Sequence, residues 1–303
     1  MGQPFLRVGI ANEDKQAACY VHVPRINFAE HIQWLSPSRP EATDAVLCKH
    51  LSFQHDQLWL QLDQRPPWRI AVIPIDTAQG SPSEIEVVFS FHHAIGDGTS
   101  GSIFLGRLLN ALLNPVVISE LEADQLELSE PPILPGPQEQ LINGRISWPY
   151  FLWELWAAFG PSWLKSKPDV IPWKGRPIDF SMPYQTNVQL LRLPAAIATG
   201  LNFHEFFTKK DPRERSNSWE VSNLGAINGG ATEGALWKLK RAVFSQSAMT
   251  VGPGFAVNVA GIAGGEVTIT LTWNEDLVDT ALLESLAADL ESWTHRLAGG
   301  VPF

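Results

Sequence analysis

Apolar residues along the chain follow two periods, and each period marks its own elements. Residues 18–24 (ACYVHVP) read as a strand that stops at Pro24. Residues 41–53 (EATDAVLCKHLSF) read as a helix, with the turn supplied by Ser36 to Pro40 and an apolar face by Ala45, Val46, Leu47 and Leu51. Trp68 to Ile73 (WRIAVI) is a short strand, and the polar turn at 75–83 predicts a hairpin with the strand that follows. In that strand, Glu84 to His93, the residues Ile85, Val87, Phe89 and Phe91 share one face. Glu84, Glu86, Ser90 and His92 share the other, with Val88 the exception. Side chains alternate along a strand, so His93 is expected to continue the apolar face and point inward, and His92 to point away. A glycine-rich turn follows (Ala94-Ile95-Gly96-Asp97-Gly98). Thr99 or Ser100 is placed to cap a helix that ends near Asn114, before Pro115, with Leu105, Leu108, Leu109, Leu112 and Leu113 as its core stripe.

The middle of the chain is less regular. Residues 115–146, rich in Pro and Glu, read as a crossing segment. Residues 147–165 (SWPYFLWELWAAFGPSWLK) read as partly helical, buried or dimer-facing, with a membrane-touching segment as the alternative, and 166–185 as a linker. Val188 to Leu193 and Ser218 to Leu224 are strand-like. Phe255, Val257 and Val259 alternate, as do Val267, Ile269, Leu271 and Trp273, and Ala263-Gly264-Gly265 between them predicts a second hairpin. Residues 279–297 form an amphipathic helix with Leu282, Leu283, Leu286 and Leu290 expected inward. The reading is an α/β chain in two parts, 1–165 and 166–303, without a solenoid repeat.

Composition narrows the function classes. With 303 residues, 45% hydrophobic and 18% charged, the chain can bury a sizeable core, which excludes disorder as its dominant state. The 22 Lys+Arg against 32 Asp+Glu give a net charge of -10 with no basic stretch, so neither nucleic acid nor an anionic membrane is an expected partner. Cys19 and Cys48 are too few for a multi-bridge scaffold or a four-cysteine zinc site. The N-terminus lacks a signal-peptide core and no uncharged apolar run reaches the ~18 residues of a membrane span, so a soluble, reduced, cytoplasmic protein is expected. The 12 tryptophans point to core or pocket walls and a hydrophobic ligand.

The candidate chemistry centres on His93. Burial disfavours the charged imidazole, which would leave a neutral base able to take a proton from an alcohol or amine attacking a carbonyl. Gly96 and Gly98 permit close backbone approach, and Asp97 can accept hydrogen bonds or pair with an arginine to lock the turn. Spacing alone leaves open the reading of His93 as a satisfied core histidine. His92 and His93 project oppositely and do not share a metal, so no metal site is expected. No Gly-x-Ser-x-Gly elbow, phosphate loop or dinucleotide fingerprint is present.

The run His92-His93-Ala94-Ile95-Gly96-Asp97-Gly98 resembles the HHxxxDG motif of the chloramphenicol-acetyltransferase-like superfamily, which holds peptide-synthetase condensation domains, plant BAHD acyltransferases and alcohol acetyltransferases. The wider FSFHHAIGDGTSG looks most like the fungal alcohol acetyltransferase and condensation-like branch. Arg65-Pro66-Pro67-Trp68-Arg69, Glu220-Val221-Ser222-Asn223-Leu224-Gly225 and Phe244-Ser245-Gln246-Ser247 resemble further segments of that branch in the same order, so the likeness covers most of residues 40–300. It implies an α+β sandwich of two subdomains with the active site between them. It also implies transfer of an acyl group from a thioester to a hydroxyl or amine of a small hydrophobic metabolite of secondary metabolism. The donor would be acyl-CoA as co-substrate or a carrier-bound acyl group, with no permanently bound cofactor. His93 is implied as general base, Asp97 as structural support, and Gly98 as the residue that leaves room at the channel. Ser222 and Asn223 are implied near the channel, with Ser245 and Gln246 reaching it from the C-terminal half.

The chain is shorter than that branch. Most of the first strand and helix are missing by comparison, and the stretch from Pro194 to Asn217 is too short for the several elements expected there. A truncated second subdomain would open the tunnel and expose sheet edges, which favours self-association. It also keeps an alternative: a non-catalytic or repurposed condensation-domain-like protein that binds a small molecule or a partner.

Overall fold

Strands pair where the alternating runs predict them, and the faces of two sheets decide where the candidate site lies. The computed structural model describes residues 3–76 except 14 and 16, 84–115, 121–136 except 123, 148, 149, 152, 155, 156, 160, 161, 186–193, 218–229, 235–248 and 253–299. Val8–Ala11 (β1) pairs antiparallel with Cys19–His22 (β2). Arg25–Asn27 (β3) leads through a one-turn helix, Phe28–His31 (α1), to Ile32–Trp34 (β4). The helix Thr43–Asp56 (α2) precedes Trp68–Ile75 (β5) and Glu84–Phe91 (β6). β5 and β6 form the predicted hairpin, in register from Trp68↔Phe91 to Ile75↔Glu84, and β4 adds to β5 in parallel. The helix Gly98–Leu113 (α3) follows. Leu121–Glu122 (β7) and Gln125–Glu127 (β8) then pair, and β8 joins β3, so part of the expected crossing segment is a small sheet.

The second sheet holds Thr186–Leu193 (β9), Trp219–Ile227 (β10), Phe255–Ile262 (β11) and Val267–Asn274 (β12) in the order β10-β11-β12-β9. β11 and β12 form the second predicted hairpin, turned at Gly264 with φ 72°, while β10 lies parallel to β11. Every residue of β11 and β12 is buried. One face is apolar and packs on the helix Thr280–Ala298 (α4). The inward residues of α4 are Leu283, Ala287, Leu290 and Thr294, with Leu286 partly covered. Leu282 is 44% exposed, because a 100° step per residue carries it off the stripe that Leu283 occupies. Fully burying a leucine such as Leu283 contributes about 1.5–3 kcal/mol.

The opposite face of the same sheet is polar yet buried. The Thr268 and Thr270 hydroxyls donate to the Ala242 and Phe244 carbonyls, at 2.6 and 2.5 Å, and so bind the extended segment 239–248 across the sheet. That segment and β9 meet the first sheet. Val88, the exception to the β6 alternation, packs there with Leu47, Leu51, Ala71 and Ile73, and with Val188 and Val243 from the C-terminal half. The other face of β6 carries Phe89 and Phe91 into a separate cluster with Ile26, Trp68, Ile95 and Leu128. Both faces of β6 are therefore covered, and its polar positions meet the second half. Glu84 pairs with Lys240 and Glu86 with Arg241. Asp56, at the end of α2, accepts the Thr186 backbone N–H at 2.9 Å.

Trp148, Leu152 and Trp156 are exposed in the single chain, which overturns a buried reading for these positions of the aromatic segment. The 166–185 linker and the 194–217 stretch lie outside the described residues. Among the described residues no helix is long and apolar enough to cross a membrane.

Candidate active site

β6 stops at Phe91 for a local reason. The His92 N–H donates to the Pro67 carbonyl at 2.9 Å, and Pro67 has no N–H to return, so the ladder ends. His93 to Ile95 make one 3-10 turn, closed by the Ile95 N–H on the His92 carbonyl at 3.0 Å. Ile95 is pulled into the cluster around Trp68. The turn breaks the two-residue period. His93 is exposed, not inward, and His92 is the half-buried member of the pair. Burial pushes the pKa of His92 down, although nearby Glu13 opposes this, and its Nδ1 accepts the Ala94 N–H at 3.1 Å. From β2, the Tyr20 hydroxyl donates to the Ala94 carbonyl and ties the turn to the first hairpin.

Asp97 caps α3 in place of the expected Thr99 or Ser100. Its Oδ1 accepts both the Ser100 N–H and the Ser100 hydroxyl at 2.8 Å, and these bonds hold its carboxyl below the ordinary aspartate range. Such a cap contributes about 1 kcal/mol. Among the described residues the carboxylate is engaged by Ser100 and by no arginine. Gly98 faces the second half: a Cβ there would lie 2.3 Å from Leu224 Cδ2 and 3.4 Å from Phe244 Cζ. The room that Gly98 leaves is occupied by packing between the halves. Behind the turn, a cavity of about 40 Å³ is walled by Phe5, Leu6, Phe89, Phe91, Ile95 and Phe104, and edged by Gly96 and Ser100.

Across the seam stands β10. Trp219 and Val221 pack toward α4, so Glu220 and Ser222 take the other face. Glu220 is half-buried. Burial raises its pKa, and the charge of nearby His93 works against that rise. Gln246 Nε2 donates to Glu220 Oε1. Glu220 and Gln246 are thus hydrogen-bonded, with His93 near enough to act on Glu220 through its charge. Asn223 does not join them: it is exposed, and its Oδ1 accepts the Gly225 N–H at 2.8 Å in a bulge where Gly225 has φ 71°. Ser245 turns to α2, 2.9 Å from His55 Nε2. Sequence reasoning missed Glu220 and His55. Strand parity across Trp-Glu-Val could have found the first; the second needed the tertiary contact. Among the described residues no group of three His, Cys, Asp or Glu side chains is placed to hold a metal.

Burial lowers the pKa of His55 from 6.5 to about 4. The unfolded chain therefore binds this proton at a higher pH than the folded chain does. The stabilisation is fully present above 6.5 and is lost as pH falls toward 4, by about 2–3 kcal/mol. Urea unfolding at pH 7 and pH 4.5 should show wild type losing about 2 kcal/mol more than His55→Gln. Equal losses would mean that His55 is hydrated in the folded protein.

No protein-family model matches the chain. A probable alcohol acetyltransferase of Fusarium pseudograminearum, FCK4, is 22% identical over an alignment of 419 residues covering 96% of this chain and 83% of the relative. This chain has 303 residues, so that alignment includes stretches with no counterpart here. Among solved structures, the SgcC5 protein of Streptomyces globisporus superposes with a TM-score of 0.54 at 13% identity, covering 99% of this chain and 87% of that one. The first condensation domain of the calcium-dependent antibiotic synthetase gives 0.52 at 11%, covering 98% and 85%. The wax ester synthase/diacylglycerol acyltransferase of Marinobacter aquaeolei VT8 gives 0.50 at 11%, covering 98% and 86%. By these superpositions the chain has the fold shared by condensation domains and wax ester synthase-type acyltransferases, the chloramphenicol-acetyltransferase-like fold.

Proposed function

We propose that the protein transfers an acyl group from a thioester to a hydroxyl or amine of a small, hydrophobic acceptor, with acyl-CoA as donor and His93 as general base. The observation that carries this reading is the placement of His93: exposed on a capped turn and opposite Glu220 of the other half. The name of the Fusarium relative supports the same chemistry. His93 takes the acceptor proton as the oxygen or nitrogen attacks the thioester carbonyl. The tetrahedral intermediate collapses, the C–S bond breaks, and the imidazolium returns the proton to the leaving thiolate. Glu220, held by Gln246, favours the transient imidazolium electrostatically.

The test is incubation of the folded chain with acetyl-CoA and a panel of hydrophobic alcohols and amines, read by mass spectrometry. An acceptor gaining one acetyl mass with release of coenzyme A is the expected result. A folded chain that binds an alcohol yet never acylates it would overturn transfer in favour of a binding protein.

A further inference from the structure

Arg69 lies on the β5 face that meets α2, opposite Ser90 of β6. Its guanidinium carbon sits 4.0 Å from the centre of the Trp59 ring. That ring stands edge-on to His92, with centroids 6.4 Å apart, so Arg69 belongs to the same wall as the motif turn. Nε and Nη2 of Arg69 are buried, and no group among the described residues accepts from either. Its charge lowers the pKa of His50, a buried histidine that adds no negative charge. Arg241 makes the contrast, since its guanidinium meets two carboxylates. Two desolvated guanidinium nitrogens without an acceptor are costly, and stacking on Trp59 satisfies neither, because it engages the face of the group and not its N–H edge.

We propose that Arg69 receives a carboxylate carried by the acceptor, so that the acceptor is a hydroxy acid or an amino acid. This rests on the acyl-transfer reading of the neighbouring turn. Nε and Nη2 form the side-on fork that matches the two oxygens of a carboxylate. One guanidinium balances a monoanion, whereas a phosphate dianion would leave excess negative charge beside His50 and His92, both held toward neutrality by burial. The phosphates of coenzyme A are separated from its sulfur by the whole pantetheine arm, so a thioester at His93 places them away from this wall. Trp59 covers the face of the guanidinium from the irregular stretch 57–67 and leaves the Nε–Nη2 edge as the side that would meet a carboxylate.

The full chain and its Arg69→Gln and Arg69→Lys variants are titrated calorimetrically with benzoate, benzamide and inorganic phosphate. Wild type is expected to bind benzoate at least about tenfold tighter than benzamide or phosphate. Arg69→Gln should lose that preference, and Arg69→Lys, which keeps the charge without the fork, should fall between. Equal affinity of wild type for benzoate and benzamide overturns the proposal, as does benzoate binding unchanged in Arg69→Gln, or phosphate bound more tightly than benzoate. The wild-type ratio decides even where a variant does not fold. No thioester enters this assay, so Arg69-dependent benzoate binding without acyl transfer refutes the transfer reading alone, and acyl transfer without benzoate preference refutes this one alone.

Discussion

His93→Ala is expected to lower acyl transfer by about 10²–10⁴-fold, the range a positioned general base contributes. The same change should leave the fold in place, because His93 is exposed and the turn is held by other groups: the His92 carbonyl, the Asp97 cap and the Tyr20 hydroxyl. Activity and stability therefore separate in this variant. His92→Ala is the control with the opposite signature. His92 is half-buried and accepts the Ala94 N–H, so its loss should act on the turn before it acts on the chemistry. Steady-state rates with acetyl-CoA beside melting curves for both variants make the comparison. A drop of only a few-fold in His93→Ala, with the melting curve unchanged, would remove His93 from the role of base.

Arg241→Met is expected to destabilise the protein by about 3–5 kcal/mol. The Arg241 side chain is 6% exposed, with Nη1 2.5 Å from Asp44 of α2 and Nη2 2.7 Å from Glu86 of β6. Removing it leaves the Glu86 carboxylate, itself only 19% exposed, without compensation. The adjacent Lys240 provides the scale. Its pair with Glu84 is solvent-exposed, so Lys240→Met should cost about 0–1 kcal/mol. Urea denaturation of the two variants should show a large shift for the first and almost none for the second. A shift below about 1 kcal/mol for Arg241→Met would mean that water reaches both carboxylates. Arg241 lies five residues before Gln246 on the same extended segment, so its loss should also loosen the support of Glu220.

Both hairpins were legible because strict alternation specifies register: a one-residue slip would turn Phe89 and Phe91, or Ile269 and Leu271, to the wrong face. The parallel pairing of β10 with β11, and of β4 with β5, was not legible, since strand residues carry no mark of their neighbour's direction. The motif turn was legible as a turn, but its helix cap was placed at Thr99 or Ser100 and is Asp97. The orientation of His93 was misread because alternation was carried past Phe91. Pro67, which ends the ladder, stands just before the partner strand β5, so the stop signal was out of sight of β6 itself. His55 escaped for a related reason, since it matters through a contact with Ser245, more than a hundred residues away in the chain, whereas Glu220 was within reach of strand parity. Val88 looked like a flaw in the pattern, and it is the residue that shows the second face of β6 to be covered.

The bare backbone at Gly98 has a further consequence. Leu224 closes onto it more tightly than any side chain would permit. Position 98 therefore works as a shim between the two halves. Alanine there is expected to turn the tip of Leu224 aside, and valine, with two further methyls and Phe244 Cζ 3.4 Å from its Cβ, to press the halves apart. The spacing of the seam between the two halves is thus set by a residue with no functional group of its own.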